Sequence, residues 1–252
     1  MKTEIHINNF NVFADNKLIL NNINLNIEAR KISCIIGPSG GGKSTLIRSI
    51  NRINDDYRDF KLNGDIVFQG KSIYDRYVDK ADLRAKIGMV FQKPCVFPGS
   101  IKENVLFGIK QQKKLTKSEQ QNIAEESLRT VSLWNEVKDR LNMKASLLSI
   151  GQQQRLCIAR TISMKPQVIL LDEPTSSLDP LSTKAIEQMM LNLKLDYTIV
   201  FVTHNINQAK RIADNLIFIS NGQLIEYGET SQILMEPKDE RTKLYLSEEI
   251  GK

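Results

Sequence analysis

Hydrophobic and polar residues alternate near the start of the chain. Residues 23–27 read Ile-Asn-Leu-Asn-Ile, a period of two, and residues 5–7 read Ile-His-Ile. This spacing predicts β-strands with one buried face. The apolar run at 32–36 then leads into a glycine-rich turn, and Leu46 and Ile50 lie on one side of the helical pattern that follows. Strand, glycine turn and helix in this order predict the start of a βα unit.

The pattern becomes helical between about 100 and 165. Residues 116–119, Thr-Lys-Ser-Glu, have capping-box spacing, and Leu128, Val131 and Trp134 follow at near-helical intervals. This stretch is predicted to be a helical insertion.

Strands and helices alternate again after residue 165. Short apolar runs at 168–171 and 198–202 predict buried parallel strands, with a helix near 182–193 between them. Segments 216–219 and 223–226, divided by Asn-Gly, predict a late hairpin. The whole pattern predicts an α/β core interrupted by helices.

Composition narrows the class of protein. The 252 residues are 41% hydrophobic and 25% charged, as in ordinary folded proteins. No apolar run approaches the roughly 20 residues of a spanning helix, and residues 1–6 lack the apolar core of a signal peptide. Three scattered cysteines and two histidines argue against a disulfide scaffold or a zinc site, so a reducing cytoplasm is expected.

The net charge of +6 is a weak indication. The densest basic patch consists of Lys110, Lys113, Lys114 and Lys117, beside Glu119, Glu125 and Glu126. A solvated face is favoured, and a surface near anionic lipid is the alternative. No basic stretch of the kind that binds nucleic acid is present.

A phosphate-binding loop follows the strand at 32–36. The sequence Gly37-Pro38-Ser39-Gly40-Gly41-Gly42-Lys43-Ser44-Thr45 fits G-x-x-x-x-G-K-[ST] between a strand and a helix. Glycines let successive N–H groups point at phosphate oxygens, and the helix adds its positive dipole end. Lys43 is expected to reach the β- and γ-phosphates, and the Ser44 hydroxyl to ligate Mg²⁺.

Two carboxylates end the apolar strand at 168–171. Asp172 and Glu173 fall where open α/β sheets bind ligands. Asp172 is expected to hold Mg²⁺ through water, and Glu173 to accept the proton of the attacking water. An acidic turn after a strand is the alternative.

Ser149 and Gln152 again have capping-box spacing, which gives a second helix end able to bind phosphate. One nucleotide site has no use for two such ends, whereas two subunits placed head to tail would use both. A plain N-cap at Ser149 is the alternative.

Three further polar residues lie at or near predicted strand ends. Gln92 is a candidate to orient water or a metal ligand, and His204 to touch the γ-phosphate. A polar residue leaving a strand and a structural histidine are the respective alternatives. Asp179 precedes Pro180 and is compatible with a simple turn.

Together these motifs, in this order along nearly the whole chain, resemble the ATP-binding subunits of ABC transporters. The resemblance implies a P-loop NTPase (RecA-like) core with an N-terminal antiparallel β subdomain and a helical subdomain. The implied single domain, 1–252, has its nucleotide-binding core at about 1–92 and 166–252 and its helical subdomain at about 93–165.

The resemblance also implies roles for individual side chains. Three residues would contact the γ-phosphate of ATP held by the other subunit: Ser149, Gly151 and Gln152. Gln92 would contact Mg²⁺ and report nucleotide state to a membrane partner. His204 would position the γ-phosphate and water, and Asp179 would link the two sites.

A second set of segments is similar to the ATP-binding subunits of phosphate importers. It comprises residues 91–94, 97–98, 100–101, 134–141, 152–160, 196–200, 203–205, 226–228, 237–239 and 241–242. The similarity implies ATP and Mg²⁺ as cofactors, a homodimer, two integral membrane permease subunits and an extracytoplasmic phosphate-binding protein. It also implies a peripheral position on the cytoplasmic face of the membrane and no nucleic-acid partner. Import of another small solute, such as a polar amino acid, and a soluble ATPase acting on nucleic acid are the alternatives.

Three positions depart from the family's pattern. Ile150 stands where a glycine is usual and is expected to crowd the helix tip. Phe13 lies one residue before the usual adenine-stacking aromatic, now Ala14, so either Phe13 stacks or stacking is weak. Cys95 and Val96 interrupt a stretch expected near the membrane subunits.

Overall fold

Two β-sheets and the helices packed on them make up the computed structural model, which describes residues 3–57 and 59–250. The strands are β1 Thr3–Ala14, β2 Lys17–Glu28, β3 Ile32–Ile36, β4 Phe60–Phe68, β5 Lys71–Ser72, β6 Ile87–Val90, β7 Val168–Asp172, β8 Thr198–Val202, β9 Asn215–Ser220 and β10 Gln223–Glu229. The helices are α1 Lys43–Ile50, α2 Lys80–Lys86, α3 Ile101–Gln112, α4 Lys117–Thr130, α5 Trp134–Val137, α6 Ile150–Ile162, α7 Pro180–Leu193, α8 Ile206–Ile212, α9 Thr230–Met235 and α10 Glu240–Ile250. Met1 and Lys2, where no signal peptide is expected, lie outside the described residues.

The smaller sheet is antiparallel, in the order β2-β1-β4-β5. Alternate residues of β1, among them Ile5 and Ile7, are buried, as the period of two predicts. They share an apolar cluster with Leu46 and Ile47 of α1. This sheet therefore packs beside the helix that follows the phosphate-binding loop.

The larger sheet has the order β10-β9-β3-β8-β7-β6, and only β10 is antiparallel to its neighbour. Along β8, Ile199 and Phe201 belong to one apolar cluster, and Val200 and Val202 to the other. The sheet is buried on both faces, which explains why its parallel strands are continuous apolar runs.

Helices α3 to α6 form the predicted helical insertion between β6 and β7. Helix α6 packs on α3 and on β6. At that second contact a Cβ on Gly88 would lie 2.3 Å from Cγ2 of Thr161, so the close approach requires glycine. The exact boundary of the insertion stays a prediction.

Several elements differ in detail from the sequence prediction. Strand β6 ends at Val90, so Gln92 lies two residues beyond it. Helix α7 begins at Pro180, two residues earlier than predicted. The predicted hairpin is present as β9 and β10. Strands β4 and β5 and helix α2 were not predicted.

Candidate active site

Four parallel strands end beside one another at the C-terminal edge of the larger sheet. Because β3, β8, β7 and β6 are adjacent, the segments that follow them meet there. They carry the phosphate-binding loop, His204, Glu173 and Gln92, respectively. This is the edge at which open α/β sheets bind ligands.

The loop from Gly37 to Thr45 has the backbone that its glycines predict. Gly37 has φ of 141°, and a Cβ there would lie 1.9 Å from the Ile219 carbonyl oxygen. Gly42 has φ of 102° and is the N-cap of α1, whose first residue is Lys43. Only glycine tolerates these conformations at such close approach.

The Lys43 side chain is buried against its own loop. Its Nζ donates to the carbonyl oxygens of Gly37 and Pro38, each at 2.8 Å. Burial lowers the pKa of the Lys43 ammonium below its ordinary value, and the nearby Glu173 and Asp172 carboxylates oppose that shift. The ammonium is therefore held inside the loop that would receive phosphate.

Asp172 joins the end of β7 to helix α1. Its side chain is 2% exposed. Its Oδ1 accepts from the Ser44 hydroxyl at 3.0 Å, and its Oδ2 accepts from Nε and Nη2 of Arg48 at 3.2 and 2.9 Å. A carboxylate and a hydroxyl side by side are hard oxygen ligands of the kind Mg²⁺ takes, with nucleotide phosphates supplying others. The residues present therefore fit a nucleotide-bound magnesium ion.

Glu173 lies at the centre of a polar cluster. Nε2 of Gln92 donates to its Oε2 at 3.0 Å and to Oγ of Ser176 at 3.3 Å. Nδ1 of His204, whose side chain is 62% exposed, lies 3.7 Å from the same Glu173 oxygen. The structure thus brings together the candidate base, the candidate histidine and the candidate amide.

A polar network centred on the buried Gln208 and Glu187 supports the segment after Glu173. Gln208 exchanges hydrogen bonds with the Thr175 hydroxyl and donates to Glu187 at 3.2 Å. Arg211 donates to both Glu187 carboxylate oxygens, at 2.6 and 2.9 Å. These contacts tie the segment to α7 and α8, and nothing in the sequence pattern had indicated them.

The start of helix α6, Ser149 to Gln152, is here named the α6 tip. The Ser149 hydroxyl accepts from the Gln152 N–H at 3.3 Å, and Gln152 Oε1 accepts from the Ser149 N–H at 3.0 Å. The predicted capping box is therefore present. Gln152 Nε2 also donates to Glu136, which is paired with Arg155.

The α6 tip is not among the described residues that line the cavity of about 230 Å³ around the phosphate-binding loop. Its Ser149 is exposed. Within one chain, the structure therefore does not bring Ser149 to Lys43.

Asp179 is the N-cap of α7. Its Oδ1 accepts from the N–H groups of Leu181 and Ser182, both at 3.0 Å, and its Oδ2 from the Ser182 hydroxyl at 2.6 Å. These bonds, above all that from Ser182, hold the pKa of Asp179 below its ordinary value. A Cβ on Gly151 would lie 2.8 Å from Oγ of Ser182, so the α6 tip packs directly on the start of α7.

The structure shows the surroundings of three residues at positions that depart from the family's pattern. Ile150 is 54% exposed, and the capping box beside it is intact. Phe13, partly exposed near the end of β1, pairs with Leu18 in register. Cys95 is exposed, and its carbonyl accepts from Arg160 at 2.8 Å.

Sequence reasoning missed residues that hold the predicted ones in place. Arg48 binds Asp172, and its spacing of four from Ser44 puts both on one face of α1, a signal that could have found it. Gln154 and Arg160 of α6 bind the carbonyls of Phe91 and Cys95, before and after Gln92. Helical periodicity in the sequence does not indicate which distant carbonyls such side chains will meet.

No helix in the part of the chain that the structure describes combines the length and the apolar character needed to cross a membrane.

Comparison with known proteins gives close relatives. The family model described as "ABC transporter" matches residues 20–176. A phosphate import ATP-binding protein, PstB, of Thermotoga maritima is 49% identical over 251 residues, all of both chains. The protein of the same name from Colwellia psychrerythraea is 48% identical over 247 residues, 98% of this chain and 88% of the relative.

Solved structures share the fold. cbiO1 from Clostridium perfringens, described as part of the ABC transporter complex cbiONQ, has a TM-score of 0.81 at 29% identity and covers 94% of this chain and 92% of its own. The dimeric ATP-binding cassette MJ0796 in a post-hydrolysis state, bound to ADP and Pi, has a TM-score of 0.77 at 29% identity and covers 90% and 98%. The fold, the loop at 37–45 and these relatives all indicate the same family. The chain belongs to the ABC transporter family as one of its ATPase cassettes.

Proposed function

We propose that this protein is the ATP-hydrolysing subunit of an importer of inorganic phosphate. The observation that carries the ATPase chemistry is the meeting of Lys43, Ser44, Asp172 and Glu173 at one sheet edge. Lys43 and the loop N–H groups bind the phosphates, while Ser44 and Asp172 hold the magnesium ion that balances their charge. Glu173 accepts the proton of the attacking water, and His204 and Gln92 position that water and the γ-phosphate.

The second proposal concerns assembly. We infer that two copies pair head to tail, with Ser149, Gly151 and Gln152 of one facing ATP in the other, and with Asp179 linking the two sites. The α6 tip is a helix start at which Ser149 and Ile150 are exposed, and the positive end of the helix dipole favours an anion there. It does not line the loop cavity of its own chain. The relative solved as a dimer bound to ADP and Pi supports the pairing of two copies.

Phosphate as cargo rests on the relatives. The two phosphate import ATP-binding proteins match 98–100% of this chain at 48–49% identity. Proposed partners are two integral membrane permease subunits and an extracytoplasmic phosphate-binding protein, which place the ATPase at the cytoplasmic face of the membrane. No nucleic-acid partner is proposed.

Transport into vesicles tests the cargo. The intact complex, with ATP and Mg²⁺ on the side of the ATPase, is supplied with labelled phosphate and binding protein. We expect ATP-driven phosphate uptake that falls to background with Glu173→Gln, a variant that keeps the fold and nucleotide contacts. A parallel assay offers labelled polar amino acids.

ATP-driven uptake of amino acid but not phosphate would overturn the assignment of phosphate as the cargo. ATP hydrolysis that needs nucleic acid, with no uptake of either solute, would overturn the importer assignment.

A further inference from the structure

The carboxylate of Asp172 divides its two oxygens between two residues of α1. Ser44 donates to Oδ1, and both Nε and Nη2 of Arg48 donate to Oδ2. Ser44 and Arg48 are four residues apart, so they approach from the same face of the helix. Arg48 therefore makes the site's one ion pair to Asp172 among the described residues.

This division matters because the last torsion of an aspartate is broad and nearly two-fold. A free Asp172 side chain can present either oxygen, or both, to a ligand. Two N–H groups of a rigid guanidinium on one oxygen remove that freedom. The oxygen left for a metal ion is then the one already beside the Ser44 hydroxyl.

Lys43 does not hold the Asp172 carboxylate in place of Arg48. Its Nζ is bonded to the carbonyl oxygens of Gly37 and Pro38, so it acts on Asp172 only through charge at longer range. The Asp172 carboxylate is 2% exposed, and a carboxylate that far from water needs a bonded cation.

We propose that Arg48 is a positioning residue for the magnesium site, holding Oδ2 of Asp172 so that Oδ1 and the Ser44 hydroxyl face the metal ion of the nucleotide together. The inference rests on the proposed ATPase function and deepens it. Mutation of a residue that holds a metal ligand in place typically lowers the metal affinity by about 10- to 100-fold. Arg48 therefore acts on the metal-dependent part of nucleotide binding.

The test separates metal binding from nucleotide binding without using turnover. Mn²⁺ binding to the full chain in the presence of ATP is measured by electron paramagnetic resonance, and ATP binding in excess EDTA by calorimetry. We expect Arg48→Lys, which keeps the charge but loses the fork, to weaken Mn²⁺ binding about 10-fold. ATP binding in EDTA should change less than about twofold, since the Arg48 guanidinium donates to Asp172 of β7 and, among the described residues, to no residue of the phosphate-binding loop.

The matched control is Arg52→Lys. Arg52 pairs with Asp55 and has no bond to Asp172, so both affinities should stay at the wild-type value. The single variant Arg48→Met and the double variant Arg48→Met/Asp172→Asn form a second comparison. The difference between their melting temperatures shows how much of the stability lost in Arg48→Met comes from the Asp172 carboxylate left without its cation.

Wild-type Mn²⁺ affinity in Arg48→Lys would overturn the inference, as would an equal loss of Mn²⁺ binding and metal-free ATP binding. If the wild-type chain itself bound no ATP with Mn²⁺, the proposed ATPase function would fall together with the inference.

Discussion

Glu173 has a left-handed backbone, with φ of 47°, that is unusual for a residue with a Cβ. Its N–H donates to the Val202 carbonyl of the neighbouring strand, and its own carbonyl accepts from the Ser176 hydroxyl. These bonds and the Thr175–Gln208 contact oppose relaxation of the turn. The strained turn aims the carboxylate at Gln92 and His204.

At the residue scale, the sharpest prediction is Glu173→Gln. The amide keeps the size of the side chain but cannot accept the proton of water, so ATP hydrolysis should fall by roughly 10²- to 10⁴-fold. ATP binding should change little, because the phosphates are proposed to be held by Lys43 and the loop. Phosphate release and equilibrium ATP binding are measured on the same sample, and near-normal hydrolysis would remove Glu173 from the role of base.

At the element scale, three helices of the described residues, α3, α4 and α6, begin with a capping box, and the boxes of α4 and α6 are compared because they lie in different places. Ser149 caps α6 and Thr116 caps α4, each with a reciprocal bond from the third helical residue. Because the local chemistry matches, Ser149→Ala and Thr116→Ala should each lower the free energy of unfolding by about 1 kcal/mol, as followed by urea denaturation.

Their effects on turnover should differ. Ser149→Ala should also lower ATP hydrolysis, because the α6 tip is proposed to contact the partner's nucleotide, while Thr116→Ala should leave it unchanged. Equal turnover in both variants would reduce Ser149 to an ordinary N-cap.

A second element-scale prediction concerns Glu136 of α5, which is bonded to Gln152 and Arg155 of α6. Partial burial of Glu136 raises its pKa, but hydrogen bonds from Arg155 and Gln152, with the nearby arginine charges, outweigh this and hold the pKa below its ordinary value. The stabilisation is therefore complete above the ordinary pKa of 4.5 and is lost as pH falls through the lower folded value.

Glu136→Gln should lower the free energy of unfolding by about 1 kcal/mol near neutral pH, and the difference from wild type should shrink below pH ~4.5. Urea unfolding across pH measures both. Glu125→Gln, at an exposed pair with Arg129, is the control and should change stability by less than about 0.5 kcal/mol. A Glu136 difference that grows in acid would contradict the pKa direction.

Strand β4 shows why some elements escaped prediction. Gly64 interrupts its alternation with φ of 88°, and a Cβ there would lie 2.2 Å from the Asn9 carbonyl oxygen. Opposite it, β1 has a register irregularity between Asn8 and Asn11. The bulge spoils the period of two in sequence while the sheet accommodates it in space.

At the scale of the whole molecule, the strand-end residues were predictable because each follows a local pattern: an apolar run, then a glycine loop, two carboxylates or a histidine. The partners of those residues were not predictable. Arg48 and Asp172 are far apart in sequence, and their pairing follows from the placement of β3 two strands from β7. Periodicity fixes which face of an element is buried, not which neighbour it meets.

The proposed dimer gives a prediction at this scale. Glu173→Gln with ATP and Mg²⁺ should elute as a species of twice the mass of one chain in light-scattering chromatography, because bound ATP is not consumed and bridges both subunits. Without nucleotide the dimer should be less populated. Adding Ser149→Ala to that variant should lower the dimer fraction, and a dimer independent of both ATP and Ser149 would point to a different interface.

Trp134 is the chain's single tryptophan, and it lies in the helical insertion with the Arg129 guanidinium 5.3 Å from its ring centroid. It is two residues from Glu136, which holds the α6 tip through Gln152. Tryptophan emission from the native protein therefore has one origin, far along the chain from the phosphate-binding loop. Trp134 is an intrinsic fluorescent probe, so movement of the α6 tip on nucleotide addition can be followed in real time by its emission, without an added dye.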